Sequence, residues 1–144
     1  MYSTRELLET LGVPVIGFRT DHFPAFYRRA TEPAIGVDAR FDDVEELGMF
    51  LRHELARTNR GVVVCNPIPP EHELALADWA RWLREANSQA TAAGITGRGV
   101  TPFLLGKVHE LSNGATLRAN IELVKANAGL AAELAVAMQS RSEP

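Results

Sequence analysis

The chain has 144 residues, which fits a single compact domain that buries much of its unfolded surface. Its 46% hydrophobic content is too high for a disordered chain, and no apolar run reaches the roughly 18–20 residues of a membrane span. The formal net charge of −3 excludes a broadly basic surface for nucleic acid, and the single cysteine excludes an internal disulfide, which favours a reducing cytoplasm.

The N-terminal segment predicts a short helix followed by a buried strand. Ser3 and Glu6 have the spacing of a capping box, in which the hydroxyl and the carboxylate satisfy two free amides of the first turn. This helix is predicted to end at Gly12. The run 13–18 is short, rich in β-branched residues and bounded by turn residues, and Pro14 places its start at an edge or at the first ladder position.

The middle of the chain predicts two more strands around a helix. Residues 34–37 form a weak candidate strand, whereas the apolar run 62–65 is the best strand pattern in the sequence. Between them, Asp42 and Glu45 predict the cap of a helix with apolar residues at helical spacing. The proline-rich segment 66–70 ends the third strand abruptly and is expected to be rigid and extended.

Three helices are predicted to fill the C-terminal half. The first covers residues 74–93, and the last begins at Thr116 and continues for about 23 residues, roughly 35 Å. Between them, Thr101 as N-cap and Pro102 at the first helical position predict a helix that ends near Leu111.

These elements indicate an α/β fold with a three-layer α/β/α arrangement, here a partial sheet of about three strands with about five helices. Three strands make a narrow sheet for so many helices, so part of the sheet is expected to belong elsewhere. We expect residues 1–144 to form a single unit with a frayed tail at residues 140–144.

The predicted last helix has distinct faces. Its apolar stripe is expected to consist of Leu117, Ile121, Val124, Ala128, Ala131, Ala135 and Met138. A flanking face is apolar except for two amides seven residues apart, Asn120 and Asn127. A buried amide without a partner costs about 1–3 kcal/mol. These two side chains are therefore expected either to bond to a neighbouring loop or to contact a ligand.

Two further polar residues are candidates for a binding site. Asn66 lies where the strongest predicted strand ends, and open α/β sheets bind ligands beyond the carboxyl ends of their strands. Thr101 lies at a predicted helix N-terminus, which favours an anion. Each also has a purely structural interpretation, since asparagine is common in turns and threonine is a common N-cap.

The other candidate clusters favour structural roles. The acidic run at residues 42–46 suits the first turn of a helix better than a metal site, and residues 71–73 suit a solvated helix start. Cys65 is expected to be a small core residue rather than a nucleophile, and the two tryptophans are expected in the core or at a subunit contact. Three histidines are scattered without metal-ligand spacing: His22, His53 and His109.

Five sequence blocks, spread along the chain from residue 12 to residue 124, carry a family resemblance. They are residues 12–27 (GVPVIGFRTDHFPAFY), 64–69 (VCNPIP), 94–97 (GITG), 101–105 (TPFLL) and 117–124 (LRANIELV). In this order the blocks resemble the pseudouridine-5′-phosphate glycosidase family. Each block is modest alone, and five in sequence are specific.

The resemblance implies that this chain looks like the C-terminal half of a protein about twice as long. Members of the family reversibly cleave the carbon–carbon glycosidic bond of pseudouridine 5′-phosphate to uracil and ribose 5-phosphate. The resemblance implies a lysine that forms a Schiff base with the opened ribose, a glutamate that handles protons at the uracil, and a manganese-type ion by the phosphate. An amine nucleophile suits this bond, because a carbon–carbon bond has no leaving heteroatom to protonate.

The resemblance also implies that the lysine, the glutamate and the metal ligand lie upstream of the helix that ends at Gly12. The only lysines present, Lys107 and Lys125, do not match the family nucleophile. We therefore expect no catalytic residue and no metal ligand in this chain, and no activity from the chain alone.

The substrate-binding residues are carried over from the resemblance one by one. Asn120 matches the substrate-contacting asparagine of the family's final helix. Asn127 matches the second residue of an Asn-Asn pair whose first member is Ala126 here, and His22 stands where an acidic residue is usual. Position in the chain adds two candidates for the same site, Asn66 and Thr101, beside Asn120 and Asn127.

The expected partners follow from the same resemblance. The small-molecule partners are the substrate and its products. The protein partner is either further copies of the chain, since members of the family are usually trimers, or a missing N-terminal half. No nucleic acid or membrane partner is expected. The alternative function is a non-catalytic remnant that binds a nucleotide or pairs with other subunits.

Overall fold

A three-stranded parallel sheet with five α-helices makes up the part of the chain that the structure, a computed structural model, describes, residues 2–139. The strands are β1 (Val15–Phe18), β2 (Ala39–Phe41) and β3 (Val63–Cys65), in the order β2-β1-β3. The helices are α1 (Tyr2–Thr10), α2 (Val44–Thr58), α3 (Leu76–Ala92), α4 (Val100–Leu111) and α5 (Ala115–Gln139). The predicted fold class is confirmed, and the expected frayed tail at residues 140–144 lies outside the described residues.

The sheet directs its side chains alternately into two apolar cores, as a pleated strand does. One core lies between the sheet and helices α2 and α5, and contains Ile16, Phe18, Leu47, Leu51, Leu130 and Leu134. The other lies beneath α1 and the loop after β1, and contains Val15, Phe23, Ile35 and Cys65 with Leu8 packed against them. The middle strand β1 is therefore covered on both faces, as parallel strands require.

The second strand lies further along the chain than its sequence pattern predicts. Residues 34–37 form no strand; Ile35 is buried in the second core, and Gly36 makes only an isolated bridge with His22. The strand instead covers Ala39–Phe41, whose first two residues are exposed. A three-residue edge strand in which only Phe41 is partly buried has no apolar periodicity, so the sequence carried no signal for it.

Three predicted helix caps are displaced by one or more residues. Helix α1 already includes Tyr2, so Ser3 is not its N-cap. Helix α2 is capped by Asp43 rather than Asp42, because the Asp43 Oδ1 atom accepts from two amides of the first turn at 2.9 and 3.0 Å. Helix α4 begins at Val100 after a 3₁₀ turn over Gly97–Gly99, which places Thr101 inside the helix. The acidic run thus includes a cap, as expected, although its capping residue differs.

Helix α5 turns a different face to the core from the one predicted. The side chains of Leu117, Ile121 and Val124 are 51%, 44% and 57% exposed, and we call them the α5 stripe. The flanking face that includes Leu130 and Leu134 packs on the sheet instead. Because two adjacent faces of this helix are apolar, periodicity alone could not decide which of them is buried.

Helices α2 and α5 approach each other closely at a pair of small residues. Gly48 is buried, and a Cβ atom at that position would lie 2.6 Å from the Cβ of Ala137. The glycine therefore sets the separation of the two helices that cover the first core.

None of the helices within residues 2–139 combines the length and apolar character needed to span a membrane.

Candidate functional site

A cleft of about 350 Å³ lies at the carboxyl end of β3, next to the loop that follows β1. Its walls come from α1, from the loop after β1, from the end of β3 and from α5: Thr4, Phe23, Pro24, Phe26, Val64, Cys65, Asn66, Leu123 and Asn127. Open α/β sheets bind ligands in this position, because loops from neighbouring parallel strands converge there. The cleft is therefore the candidate functional site.

Two of the predicted site residues meet in this cleft. The Asn66 side chain donates from Nδ2 to Oδ1 of Asn127 at 3.1 Å, joining the end of β3 to α5. The buried Pro67 and Ile68 follow Asn66 and hold it in place. Each amide has further hydrogen-bonding capacity, since this contact uses one N–H of Asn66 and one lone pair of Asn127. The pair therefore has a structural bond and retains polar atoms for a ligand.

The other two predicted residues do not line the cleft. Asn120 lies on α5 seven residues before Asn127, about 10 Å along the helix axis and on nearly the same side. Its side chain is exposed, and within residues 2–139 it makes no hydrogen bond. Thr101 is exposed on α4, and because that helix starts at Val100, its hydroxyl does not cap the helix.

The loop after β1 is fastened to the segment after β3 by several polar contacts. The Leu74 amide donates to the Tyr27 carbonyl oxygen at 3.0 Å, and the Arg29 guanidinium donates to the Ile68 carbonyl oxygen at 2.7 Å. Glu73 forms an ion pair with Arg28 at 3.1 Å and accepts from the Arg29 amide at 3.0 Å. Glu73 is thus a structural anchor, which corrects the expectation that residues 71–73 are merely a solvated helix start.

A strained aromatic turn forms one rim of the cleft. Ala25 and Arg28 pair through two backbone hydrogen bonds of 2.9 and 3.2 Å, with Phe26 at the first position between them. Phe26 has a φ of +54°, and its side chain is 63% exposed. Glycine is the residue that two-residue turns favour at such a position, and a bulky side chain there costs about 1–3 kcal/mol.

Sequence reasoning did not include this aromatic wall among the site residues. The density of aromatic residues from Phe18 to Tyr27 was the available signal, because a solvated loop rarely has so many. Spacing alone did not show which of these rings faces the core. Phe23 is buried and Phe26 is exposed, and both line the cleft.

The cleft is electrically neutral along the walls that the structure describes, since none of its lining residues has a charged side chain. Burial raises the pKa of the Cys65 thiol to about 11, an effect that Arg5 partly opposes. The thiol is therefore protonated at neutral pH, as expected of a core residue rather than a nucleophile. Arg5 itself is paired with Asp38, whose other oxygen accepts from the Val15 amide at 2.8 Å.

Both lysines of the chain lie outside the cleft and are engaged in ion pairs. Lys107 contacts Glu110 at 2.7 Å on α4, and Lys125 contacts Glu122 at 2.8 Å on α5. The hydrogen bond from Lys125 lowers the pKa of the Glu122 carboxyl. No lysine amine is therefore presented to the cleft.

Residues 2–139 contain no group of three or more His, Cys, Asp or Glu side chains arranged to hold a metal ion. The residues that the structure describes therefore do not fit the divalent ion that the family resemblance implies, and we derive no step through it. A larger surface depression, about 630 Å³, lies beside α3 and is lined by Arg81, Trp82, Arg84, Glu85, Ser88 and Leu111. It contains none of the predicted site residues.

Comparisons with known proteins cover nearly the entire chain. Residues 1–137 match the family model described as indigoidine synthase A like protein. A pseudouridine-5′-phosphate glycosidase of Geobacillus kaustophilus is 49% identical over 133 residues, which are 92% of this chain and 44% of that protein. The protein of the same name from Symbiobacterium thermophilum is 43% identical over 139 residues, 96% of this chain and again 44% of that protein. The chain thus spans less than half the length of these relatives.

Two solved structures share the fold. The prealnumycin C-glycosynthase AlnA, determined with ribulose 5-phosphate, has a TM-score of 0.84 at 30% identity and matches 95% of this chain and 45% of its own. An indigoidine synthase A-like protein from Thermotoga maritima has a TM-score of 0.67 at 31% identity, covering 94% of this chain and 44% of its own. These matches agree with the resemblance carried by the five sequence blocks.

Proposed function

The chain belongs to the indigoidine synthase A-like protein family, and from that premise we propose that it is part of a pseudouridine-5′-phosphate glycosidase. The proposed reaction is the reversible cleavage of the carbon–carbon bond of pseudouridine 5′-phosphate to uracil and ribose 5-phosphate. The observation that carries this proposal is the cleft at the carboxyl end of β3, where Asn66 and Asn127 present amide groups. Relatives with this name match the chain over most of its length.

We propose that this chain supplies substrate-binding groups rather than the reacting amine. Asn66 and Asn127 offer hydrogen bonds inside the cleft, and Asn120 extends the same side of α5 toward the rest of the substrate. An amine nucleophile is activated by desolvation or by a neighbouring cation. Neither Lys107 nor Lys125 lines the cleft, and each is paired with a glutamate instead. This pairing supports the proposal that the nucleophile lies outside residues 2–139, and we propose the same location for the proton donor and for any ligand of a divalent ion.

We propose that the partner of this chain is a polypeptide that corresponds to the remaining part of the longer relatives. Two features of the described residues support this choice. The strands β2 and β3 are both edge strands that pair only with β1, and the α5 stripe presents three large apolar side chains to solvent. Edge strands and apolar stripes are surfaces that proteins normally cover.

The enzymatic proposal is tested by measuring uracil release from pseudouridine 5′-phosphate with manganese present. We expect no turnover from this chain alone and turnover when the partner polypeptide is co-expressed with it. Asn120→Ala is expected to reduce the restored activity, whereas Asn87→Ala, on the outer surface of α3, is the matched control. No uracil release by the wild-type pair would contradict the proposed reaction, and turnover by the chain alone would contradict the proposed division of residues.

The docking surface is tested by light scattering of the purified chain and of its complex with the partner. Ile121→Glu places a charge in the α5 stripe and is expected to prevent complex formation. Met49→Glu changes an exposed apolar residue of α2 and is the control. A stable trimer of this chain alone, disrupted by Ile121→Glu, would assign the stripe to self-association and overturn the proposed partner.

A second candidate is a binding module without catalytic activity. For either candidate we propose a cytoplasmic location, which the scarcity of cysteine favours. The pairing of both lysines with glutamates favours the binding module. Tight binding of pseudouridine 5′-phosphate without turnover, even with the partner present, would support this candidate over the enzyme.

A further inference from the structure

We propose that the cleft is the subsite for the uracil ring and that Phe26 is the platform on which the ring stacks. This proposal rests on the proposed function and deepens it, because it assigns one part of the substrate to one part of the structure. It also assigns a specificity-determining role to Phe26, an apolar residue that was not among the predicted site residues.

The chemistry of the cleft walls favours a neutral ring over a phosphate group. All of the described lining residues are uncharged, and the polar side chains nearest the strand end are the two amides of Asn66 and Asn127. A phosphate is normally bound by arginine, lysine or a helix N-terminus. Uracil is neutral and planar, with N–H and C=O groups along its edge, and side-chain amides pair with both kinds of group. The sugar and phosphate therefore project out of the cleft.

Phe26 has the exposure and the location that a stacking platform requires. Its ring is largely exposed, outside the second core, and it borders the same cleft as the two amides. Stacking on an aromatic side chain is available to any nucleobase through its π-face. The ring and the amides thus present a face contact and edge contacts to one bound base.

The backbone conformation of Phe26 indicates that the exposed ring is held in place rather than merely tolerated. The residue has a φ of +54°, a conformation that side chains rarely adopt and that strained functional residues often do. Glycine at this position would relieve the strain but would remove the ring. The Phe26 ring contacts the neighbouring Tyr27 ring, with 6.4 Å between ring centroids, yet it remains 63% exposed, so this contact does not account for the strained conformation.

The turn that contains Phe26 is anchored through the two residues that follow it, Tyr27 and Arg28. The Tyr27 ring packs on Trp79 of α3 with 5.3 Å between ring centroids, and the Tyr27 carbonyl oxygen accepts from the Leu74 amide. Arg28 is paired with Glu73 directly after the turn. Because these contacts fix the residues after Phe26, its ring is pre-positioned and loses little freedom when a base binds.

The test measures binding to the complete chain with three probes: uracil, pseudouridine 5′-phosphate and ribose 5-phosphate. In nuclear magnetic resonance titrations, the two probes that contain the base are expected to shift the Phe26 ring resonances. Phe26→Leu is expected to weaken the binding of pseudouridine 5′-phosphate by about 5- to 150-fold, because the variant loses one base–aromatic stack. Ribose 5-phosphate is expected to bind equally to both forms. Phe26→Tyr should restore binding, and Leu105→Ala, exposed on α4, is the control.

Each outcome separates this proposal from the proposed function. Equal binding of pseudouridine 5′-phosphate to the wild type and to Phe26→Leu would overturn the platform and leave the function in place. Shifts of the Phe26 ring by uracil without binding of pseudouridine 5′-phosphate would support the platform and contradict the proposed substrate. If no base-containing probe shifts that ring, the platform is overturned, and this result does not depend on any variant folding.

Discussion

Asn66 and Asn127 join the end of the third strand to the middle of the last helix through one side-chain hydrogen bond of 3.1 Å. The residues are 61 positions apart in the chain. The same two amides line the candidate cleft, so this contact couples the architecture of the site to the packing of α5.

The first prediction concerns this amide pair. Replacing either residue by alanine should lower the free energy of unfolding by about 0.5–1.5 kcal/mol, because the contact is a neutral hydrogen bond. The double variant should lose less than the sum of the two single variants, since both remove the same bond. Urea denaturation of the wild type, both single variants and the double variant measures the coupling. Strictly additive losses would show that the two side chains do not interact in solution.

The second prediction concerns the spacing of helices α2 and α5. Gly48→Ala should destabilise the protein by about 1–3 kcal/mol, because the added methyl group would lie 2.6 Å from Ala137 in a packed core. Gly129→Ala on α5 is the matched control, since its Cβ would meet nothing within 4 Å, and it should stabilise the helix by about 0.5–1 kcal/mol. Thermal unfolding should show a lower melting temperature for Gly48→Ala and a higher one for Gly129→Ala than for the wild type. Stabilisation by both would mean that the helices lie further apart.

The third prediction concerns Cys65. Burial raises the pKa of its thiol from 9.0 to about 11, so folding disfavours the thiolate. The stability that this group contributes is fully present below pH 9 and is lost as the pH rises from 9 toward 11. Cys65→Ala removes the titration and should have a shallower decline in stability over that interval. Parallel declines for the two proteins would contradict the raised pKa, as would rapid alkylation of the native protein at pH 8.

The fourth prediction concerns the anchor between the two strand-end segments. Glu73→Gln keeps an acceptor for the Arg29 amide but removes the charge that pairs with Arg28, so it should cost about 1–2 kcal/mol of stability. Hydrogen exchange should accelerate at the Leu74 amide, which donates to Tyr27 across the same junction.

Asp78→Asn provides the control for this fourth prediction. Asp78 forms an ion pair with Arg81 that is largely exposed on α3, and such pairs contribute little to stability. Its removal should change stability by less than about 0.5 kcal/mol. Equal losses for Glu73→Gln and Asp78→Asn would show that the anchor has no special role.

The sequence predicted best the elements that are determined by the residues of the segment itself. The runs that became β1 and β3 are apolar, β-branched and bounded by turn residues, and both were placed to within two residues of their bounds. The exposed edge strand β2 was misplaced, because its pairing with β1 is long-range and leaves no periodic pattern. The cap of α2 was misplaced because the adjacent Asp42 and Asp43 side chains could both cap it. The start of α4 was misplaced because that helix begins after Gly99 without any side-chain cap.

The site was predicted in part for the same physical reason. Asn66 was identified from its position after a strand and Asn127 from its place on a helix face, and the fold brings them together. Phe26 was not among the predicted site residues, because exposure and backbone strain at one residue are properties of the folded turn and not of composition. The misjudged face of α5 shows the same limit, since two neighbouring faces offered equivalent apolar patterns.

The two edge strands of the sheet affect how the isolated chain should behave in solution. Each outer strand is only three residues long, so each offers a short row of main-chain groups to a foreign strand. Edge strands this short disfavour the repeated strand addition that forms fibrils. They still allow one further strand to pair in register. We therefore expect the purified chain to remain dispersed at low concentration, and to form limited oligomers rather than precipitate as the concentration is raised.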